Sequence, residues 1–294
     1  MHWRLVECDV CGVVFASPAP SAELLTAAYR DASYDSRAEA VYAAATYGRL
    51  VRRLLPRLPA TGGALDVGAG DGAFLEVLRA LGFGGVEGVE PSRAAVDAAD
   101  SSVRPLIREG VFSSSDFDLD SFRFVSCLQT VEHLPNPLEL FGDAHALLRS
   151  DGALLVVCHD RTAPVNRLLG RRSPIYDVEH LQLLHPRSLR GLLERAGFDD
   201  IEIRPFANRY PLRYWMRLAP LPARAKNPSS ARWTACASAR GRLRCRSATS
   251  RPWAGNARNP HRRRVAVKMY CAHATLRTPG SASSSGSMRL AARA

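Results

Sequence analysis

A long apolar run is absent from this chain of 294 residues, although 46% of its residues are hydrophobic. No segment approaches the roughly 18 consecutive apolar residues that a membrane span requires. The first residues, Met1 to Arg4, are not followed by the apolar stretch of a secretory signal. We therefore expect a cytoplasmic protein without a membrane partner, and the hydrophobic content is sufficient for a sizeable core.

Cysteine pairs are also scarce. The chain has seven cysteines, and an odd number in a sequence without a secretion signal argues against a disulfide framework. Cys8 and Cys11 form a C-x-x-C knuckle that Gly12 closes. Zinc requires four ligands, and no second C-x-x-C lies nearby. The knuckle is therefore either half of a structural zinc site or a pair of free thiols, and both interpretations stay open.

Acidic residues are absent from the last quarter of the chain. The whole sequence has 40 Lys+Arg and 28 Asp+Glu, which gives a net charge of +12. Residues 221–294 contain 16 of the basic residues and none of the acidic ones, so residues 1–220 hold 24 basic and 28 acidic residues, a net charge of −4. A domain that binds nucleic acid carries basic residues on its folded part. We therefore do not expect nucleic acid as a partner.

The same terminal segment also loses its hydrophobic periodicity after about Pro220. Three interpretations stay open: a disordered basic tail, a tail that binds nucleic acid without sequence specificity, or an out-of-frame translation. The abrupt change of composition favours the third. The stretch from Val265 to Tyr270 alternates weakly and is the only candidate for a late strand.

The most informative feature that is present is the segment LDVGAGDG, from Leu65 to Gly72. It lies between a strand-like run and a helical pattern, and a second strand-like run ends in Glu90, twenty residues after Gly70. Glycine permits a positive φ and a close approach of ligand to backbone. The N–H groups of the following helix point at an anion. An acid at the next strand tip can accept both ribose hydroxyls, so the pattern predicts a nucleoside-binding half-site.

Strand-like and helical segments alternate from about Gly63 to Ile203. The predicted strands include Val86–Glu90, Phe122–Leu128 and Ala153–Cys158, the last after an Asp151-Gly152 turn. This alternation predicts a parallel sheet that helices cover on both faces. Right-handed crossovers then bring the carboxyl ends of the strands, and with them the ligand, to one edge. The preceding segment from Ser21 to Leu55 is predicted to be largely helical and to cover that edge.

Several of these motifs resemble those of one enzyme family. The segment around Gly68 and Glu90 resembles motif I and the ribose-binding acid of the class I S-adenosylmethionine-dependent methyltransferases. The segment QTVEHLPNP, from Gln129 to Pro137, is similar to one in the subfamily that methylates quinones, sugars and other small metabolites. The segment from Glu179 to Phe198 and the knuckle from Cys8 to Pro18 also resemble parts of such enzymes. In the zinc ribbon that the knuckle resembles, the first half would lie upstream of Met1. The resemblance covers about Val6 to Pro222.

The resemblance implies a doubly wound α/β fold with a mostly parallel seven-stranded sheet of the Rossmann-like methyltransferase type. Since the family fold ends in an antiparallel hairpin strand, it stays open whether that strand is missing or aberrant in this chain. The implied organisation has a half zinc-ribbon-like knuckle at 1–20 and a helical lead over the cofactor site at 21–57. The S-adenosylmethionine-binding domain follows at 58–222. The basic low-complexity tail, disordered or out of frame, occupies 223–294.

The resemblance further implies S-adenosylmethionine as the cofactor and a small molecule as the methyl acceptor, with O-methylation favoured and C-methylation of a sugar as the other option. The residues expected at the cofactor are Asp66, Gly68, Ala69, Gly70, Gly72, Glu90, Pro91, Gln129 and Thr130. The candidate catalytic residues are His180, His159 and His133. Histidine suits a general base because its pKa is near neutrality. We favour His180, assisted by Glu179 or Tyr176, and we favour a structural role for His133. His185 is predicted to start a helix, and Cys8 and Cys11 are the candidate zinc ligands.

Two positions depart from the family pattern. Arg123 stands where the family usually has an acid, and Asp116 and Asp118 are the nearest acids for an adenine contact. Two alternative functions are therefore kept: an RNA methyltransferase that uses the basic tail, and a catalytically inactive remnant. The sequence does not contain the Asn/Asp-Pro-Pro-Tyr/Phe tetrapeptide of amino-group nucleic-acid methyltransferases. Its absence counts against the RNA methyltransferase.

Overall fold

The computed structural model describes residues 3–32, 34, 37–208 and 264–270, the last of these by their backbone alone. In chain order its strands are β1 (Leu5–Glu7), β2 (Val14–Ala16), β3 (Gly63–Val67), β4 (Val86–Glu90), β5 (Ile107–Glu109), β6 (Phe122–Leu128), β7 (Leu148–His159), β8 (Gln182–Leu183), β9 (Asp200–Phe206) and β10 (Arg264–Tyr270). Its α-helices are α1 (Ala22–Arg30), α2 (Arg37–Leu54), α3 (Ala73–Ala80), α4 (Arg93–Ala98), α5 (Pro137–Leu147), α6 (Pro164–Leu169) and α7 (Pro186–Arg195).

Seven strands form one sheet in the order β5-β4-β3-β6-β7-β10-β9. Every neighbouring pair in this sheet is parallel. The strand order reverses between β3 and β6, and ligands bind at such a switch point in open α/β sheets. The predicted doubly wound, Rossmann-like methyltransferase fold is confirmed.

The last strand of the sheet differs from the expected hairpin. It is not missing, because β10 lies between β7 and β9. It runs parallel to both neighbours, with Val267 opposite Val156 and Ile203. An antiparallel pair needs only a short turn, whereas a parallel pair needs a connection of a dozen or more residues. Residues 207–263 between β9 and β10 are long enough for such a crossover.

Both faces of the sheet are buried, as the apolar strand sequences predict. Successive side chains of a strand point to opposite faces, so Val125 of β6 packs with α5 and α7 on one face, while Phe124 packs with α2 and α3 on the other. Both side chains are fully buried. Each contributes about 1.5–3 kcal/mol relative to an exposed position.

The helical lead predicted before the glycine turn is present as α1 and α2, and α2 packs against α3. Tyr47, Leu50 and Val51 of α2 are buried in this contact. A Cβ built on Gly48 would lie 2.6 Å from Cγ1 of Val77, so a glycine at this position allows the two helices to approach closely. The lead helix α2 is thereby held over the edge of the sheet where β3 ends.

Three short strands form a second, antiparallel sheet in the order β1-β2-β8. The hairpin of β1 and β2, which carries the cysteine knuckle, pairs through Val14 and Phe15 with β8. The side chain of Arg161 also contacts Glu7 and the carbonyl of Gly12. The predicted segment 1–20 is thus packed on the segment that follows His180, while the domain boundaries themselves stay predictions.

Of the predicted basic tail, 223–294, only β10 belongs to the described residues, and the rest of this prediction lies outside them. Within the described part of the chain, no helix combines the length and the apolar character that a membrane crossing demands.

Candidate active site

The glycine turn connects β3 to α3 at the carboxyl edge of the sheet. Gly68 and Gly70 have φ angles of +79° and +57°, which glycine adopts most easily. The N–H groups of Gly68 and Ala69 donate to the carbonyl of Val89 at 2.9 and 3.0 Å, so the turn is tied to β4. Gly72 is the N-cap of α3. The predicted turn, its strand and its helix therefore have the expected arrangement.

Glu90 lies beside this turn at the end of β4. Its two carboxylate oxygens accept hydrogen bonds from the N–H of Gly70 and the N–H of Ser92, each at 2.8 Å. Pro91 follows, and Ser92 caps α4. Burial raises the pKa of Glu90, and the two N–H donors oppose the rise. Glu90 therefore links the glycine turn to the start of α4, at the position expected for a ribose contact.

Asp66 is a buried acid on β3, two residues before Gly68. Its Oδ1 accepts a hydrogen bond from the hydroxyl of Ser126 on β6 at 2.6 Å. Burial raises the pKa of Asp66 to about 8; the Ser126 hydrogen bond opposes this shift, and the negative charge of Glu90 adds to it. Asp66 and Glu90 together form an environment in which a cationic ligand would stabilise the ionised carboxylates.

Gln129 and Thr130 follow β6 and face the turn. A Cβ on Gly68 would lie 2.3 Å from Oγ1 of Thr130, so these two segments are in close contact. Gln129 has a φ of +56°, which is rare for a residue other than glycine. Its Oε1 accepts a hydrogen bond at 3.0 Å from the hydroxyl of Tyr47, which in turn accepts one at 3.1 Å from Asn208. The lead helix α2 is thus bonded to the loop after β6.

The residues at this edge fit S-adenosylmethionine. A Cβ on Gly70 would meet no atom of the described residues within 4 Å, so the turn has open space in front of it within that part of the chain. Glu90 is the acid predicted for the ribose hydroxyls, and the buried acids Asp66 and Glu90 suit a ligand that carries a sulfonium and an ammonium group. All nine residues expected at the cofactor lie in or next to the turns that follow β3, β4 and β6.

The acids considered for adenine lie elsewhere. Asp116 and Asp118 line a cavity with Gly63 and Phe122, the first residues of β3 and β6. That cavity is at the opposite edge of the sheet from the glycine turn, so these two acids do not contact the cofactor site. Arg123 also lies at the start of β6, where it pairs with Asp151. The departure at Arg123 therefore does not alter the glycine-turn edge.

The three candidate catalytic histidines come together, although they belong to three separate segments. The rings of His133 and His180 have centroids 4.9 Å apart, and those of His159 and His180 are 5.1 Å apart. The backbone N–H of His133 donates to the carbonyl of Thr130 at 3.0 Å, so His133 is linked to the loop that contacts the glycine turn. Its Nδ1 also lies 2.9 Å from the carbonyl of Glu179. The histidine cluster, His133, His159 and His180, thus adjoins the loop that meets the glycine turn.

The three histidines of the cluster differ in the direction of their pKa shifts. Burial lowers the pKa of His133 to about 4 and that of His159 to about 3, so both rings are neutral near pH 7. Burial alone would also lower the pKa of His180, but the hydrogen bond and negative charge of Asp177 outweigh it and the pKa is raised. His180 is therefore the ring of this cluster that most readily holds a proton.

Asp177 is a candidate functional residue that sequence reasoning missed. Its Oδ1 lies 2.9 Å from Nδ1 of His180 and accepts hydrogen bonds from the N–H groups of Glu179 and His180, each at 2.9 Å. Burial would raise the pKa of Asp177, but these contacts with His180 lower it to about 2. The expected partners of His180 were Glu179 or Tyr176, whereas the structure pairs it with Asp177. An Asp three residues before a His, in a turn that the Asp itself closes, was the available signal.

Two predicted features lie outside the glycine turn and the histidine cluster. Cys8 and Cys11 are free thiols on the hairpin of β1 and β2. No group of three or more His, Cys, Asp or Glu side chains that could hold a metal ion occurs among the residues that the structure describes. Zinc is therefore not supported. His185 starts α7 as predicted, because its Nδ1 accepts from the N–H groups of Arg187 and Ser188.

The fold and the site agree with the comparison to known families. A family profile described as "Methyltransferase domain" matches residues 34–203, which is more than half of the chain. The chain belongs to this methyltransferase family. With the glycine turn and Glu90 in place, it is an S-adenosylmethionine-dependent methyltransferase.

Curated relatives of the methyltransferase carry one name. A ubiquinone biosynthesis O-methyltransferase of Coxiella burnetii is 26% identical over 165 residues, which cover 50% of this chain and 70% of that protein. One of Actinobacillus pleuropneumoniae is 27% identical over 108 residues, 33% of this chain and 46% of that protein. This second match therefore spans about half the length of the relative. A solved methyltransferase from Archaeoglobus fulgidus aligns at 18% identity with a TM-score of 0.44, over 61% of this chain and 76% of that one.

Proposed function

We propose that this methyltransferase transfers the methyl group of S-adenosylmethionine to a hydroxyl group of a small molecule. The observation that carries the proposal is the His180–Asp177 pair, 2.9 Å apart, beside the loop that meets the glycine turn. The names of the curated relatives, all O-methyltransferases of a quinone pathway, support this class of acceptor. An RNA substrate and an inactive remnant are not favoured.

The cofactor would be held by residues of the glycine turn and by Glu90, Gln129 and Thr130. When bound, S-adenosylmethionine supplies a methyl group that its sulfonium already activates. The protein therefore mainly has to align the acceptor and remove its proton. Zinc has no part in this proposal, because Cys8 and Cys11 supply only two of the four ligands that zinc requires.

In the proposed reaction His180 takes the proton of the acceptor hydroxyl. Its Nδ1 is bonded to Asp177, which leaves Nε2 as the ring nitrogen that receives the proton. Asp177 fixes the orientation of the ring and stabilises the imidazolium that forms, as the carboxylate does in a catalytic triad. The neutral rings of His133 and His159 pack against His180 and add no positive charge that would oppose it.

The pKa of His180 sets the expected pH dependence. Only neutral His180 can accept a proton, and its pKa lies above the ordinary histidine value. The value of kcat/KM should therefore rise as the pH rises through that pKa and then level off. Asp177→Asn removes the charge that raises this pKa, so it should move the midpoint to lower pH while it reduces kcat.

The proposal is tested by the formation of S-adenosylhomocysteine with a panel of catechols and hydroxybenzoates. The panel is run with the wild type, His180→Gln and Asp177→Asn, and cofactor binding is measured by calorimetry. We expect His180→Gln to reduce kcat by about 10²–10⁴-fold, the usual contribution of a general base, with cofactor affinity unchanged.

Two variants serve as matched controls. His145→Gln replaces a histidine on α5 that packs against Phe198, away from the histidine cluster, and Glu194→Gln removes an exposed charge from α7. Both should retain turnover close to that of the wild type. Full turnover by His180→Gln would refute the proposed base, and tight cofactor binding without turnover of any hydroxyl compound would refute the acceptor class.

A further inference from the structure

Glu132 is a fully buried carboxyl group next to the histidine cluster. It immediately precedes His133, but it points to a different part of the site. Burial of a carboxylate is unfavourable unless it is paired or hydrogen-bonded. Only one of its two oxygens has a hydrogen-bond partner among the residues that the structure describes, and the other, Oε2, has none. A buried oxygen of this kind calls for an explanation.

The contacts of Glu132 tie together the segments that carry the other two histidines. Its Oε1 accepts a hydrogen bond from the backbone N–H of His159, at the end of β7, at 2.6 Å. Its backbone carbonyl accepts one from the N–H of Leu181, next to His180, at 2.8 Å. One residue thus holds the end of β7 and the loop before β8 at fixed positions relative to His133.

Glu132 also belongs to the set of charges that face His180. The carboxylates whose negative charge acts on this ring are those of Asp177 and Glu179 on its own loop and of Glu132 on the loop after β6. The rings of His133 and His159 lie on its two other sides. Tyr29 of α1 contacts His133 edge-on, and its hydroxyl lies 3.4 Å from the His133 carbonyl. Of the three carboxylates, that of Glu132 is the most buried, so solvent screens its charge least.

We infer that Glu132 is a positioning residue that holds His159 and His180 in place and supplies a buried negative charge for the imidazolium of His180. The inference rests on the proposed function, because it assigns Glu132 a role through His180. Glu132 does not touch the acceptor, and it neither gives nor takes a proton in the reaction.

Glu132 and His180 each shift the pKa of the other, as interacting ionisable groups must. Burial raises the pKa of Glu132, and the positive charge of His180 opposes this rise. The negative charge of Glu132 likewise raises the pKa of His180. A proton that arrives on His180 therefore stabilises the ionised carboxyl of Glu132, and the ionised carboxyl stabilises that proton.

The test is an NMR titration of the histidine ring nitrogens, together with turnover as a function of pH, in the wild type and in Glu132→Gln. Glutamine retains an oxygen that can accept from the His159 N–H, but it has no charge. We expect the titration midpoint of His180 to move to lower pH. We expect kcat on the high-pH plateau, where His180 is neutral in both proteins, to fall by about tenfold, with the acceptor KM changed by less than about twofold. Glu194→Gln, an exposed change of the same kind on α7, should alter none of these values.

A second variant keeps the test decisive if Glu132→Gln does not fold. In His180→Gln, whose side chain is replaced at a partly exposed position, the carboxyl carbon of Glu132 is titrated by ¹³C NMR. Loss of the positive charge should raise the pKa of Glu132 above its wild-type value. An unchanged His180 midpoint in folded Glu132→Gln, or an unchanged Glu132 midpoint in His180→Gln, would overturn the inference.

These titrations require no acceptor, so they separate the inference from the proposed function. Shifted midpoints together with His180-independent turnover would retain the pairing of Glu132 with His180 but reject His180 as the base. That result would overturn the role of Glu132 in the reaction.

Discussion

Replacement of Gly68 by alanine would measure the contact between the glycine turn and the loop after β6. A φ of +79° disfavours an L side chain by about 1 kcal/mol. The new Cβ would also lie 2.3 Å from Oγ1 and 2.8 Å from Cγ2 of Thr130. Overpacking of this kind costs about 1–3 kcal/mol. We therefore expect Gly68→Ala to lower the free energy of unfolding by about 2–4 kcal/mol and to weaken cofactor binding.

The same turn provides a control that separates the two contributions. Gly70 also has a positive φ, +57°, but a Cβ there would meet no atom within 4 Å among the residues that the structure covers. Gly70→Ala should therefore lower the free energy of unfolding only by the conformational part, about 1 kcal/mol. In the double variant Gly68→Ala/Thr130→Ala the colliding Oγ1 and Cγ2 are gone, and the nearest remaining atom is the Cβ at 3.1 Å. The double variant should recover about 1–3 kcal/mol relative to the sum of the single effects.

Urea unfolding of the wild type and the four variants gives these free energies, and calorimetric titration with S-adenosylhomocysteine gives the affinities. Thr130→Ala alone completes the double-mutant cycle. Equal losses for Gly68→Ala and Gly70→Ala, or strictly additive effects in the double variant, would refute the close contact between Gly68 and Thr130.

Three further changes test other parts of the site. The pKa of Asp66 is raised to about 8 in the native fold, so the native state binds this proton more tightly than the unfolded chain does. Protonated Asp66 therefore stabilises the fold fully below about pH 4, and this stabilisation is lost as the pH rises towards about 8. Asp66→Asn should flatten the fall in stability over this range in urea unfolding at several pH values, and a slope like that of the wild type would contradict the burial of Asp66. Tyr47→Phe removes the hydrogen bonds to Gln129 and from Asn208; we expect a loss of about 1–2 kcal/mol in urea unfolding, and no loss would argue against this link. His185→Ala removes the N-cap of α7 and should lower the free energy of unfolding by about 1 kcal/mol. An unchanged free energy in urea unfolding would argue against the cap at Arg187 and Ser188.

Much of the central sheet follows from local sequence signals. The bounds of β4 and β6 agree with the predicted Val86–Glu90 and Phe122–Leu128, because each strand is a short apolar run between clear turn or helix signals. Strand β7 is longer than predicted, since it begins at Leu148 and includes the Asp151-Gly152 pair that the sequence suggests as a turn. The register against β6 shifts at this point, and the pair is accommodated there as an irregularity within the strand.

Other features depend on partners that are distant in the sequence. Strands β1, β2 and β8 have two or three residues each, too few for a periodic pattern, and they exist because they pair with one another. The direction of β10 is seen only in its pairing with β7 and β9, which no local pattern specifies. The histidine cluster was predicted as three separate candidates, but its mutual contacts arise only when the ends of β6 and β7 meet the loop before β8.

The small sheet of β1, β2 and β8 makes the amino-terminal hairpin a structural support for the loop that carries Asp177 and His180. Besides the strand pairing, the N–H of Ala16 donates to the carbonyl of Leu181 at 2.9 Å, and the indole of Trp3 donates to the carbonyl of Val178 at 2.8 Å. Groups that are linked in this way open together in local unfolding. We therefore expect the amide hydrogens of the hairpin and of residues 181–183 to exchange as one unit. Opening of that unit would release the His180 loop while the seven-stranded sheet stays closed.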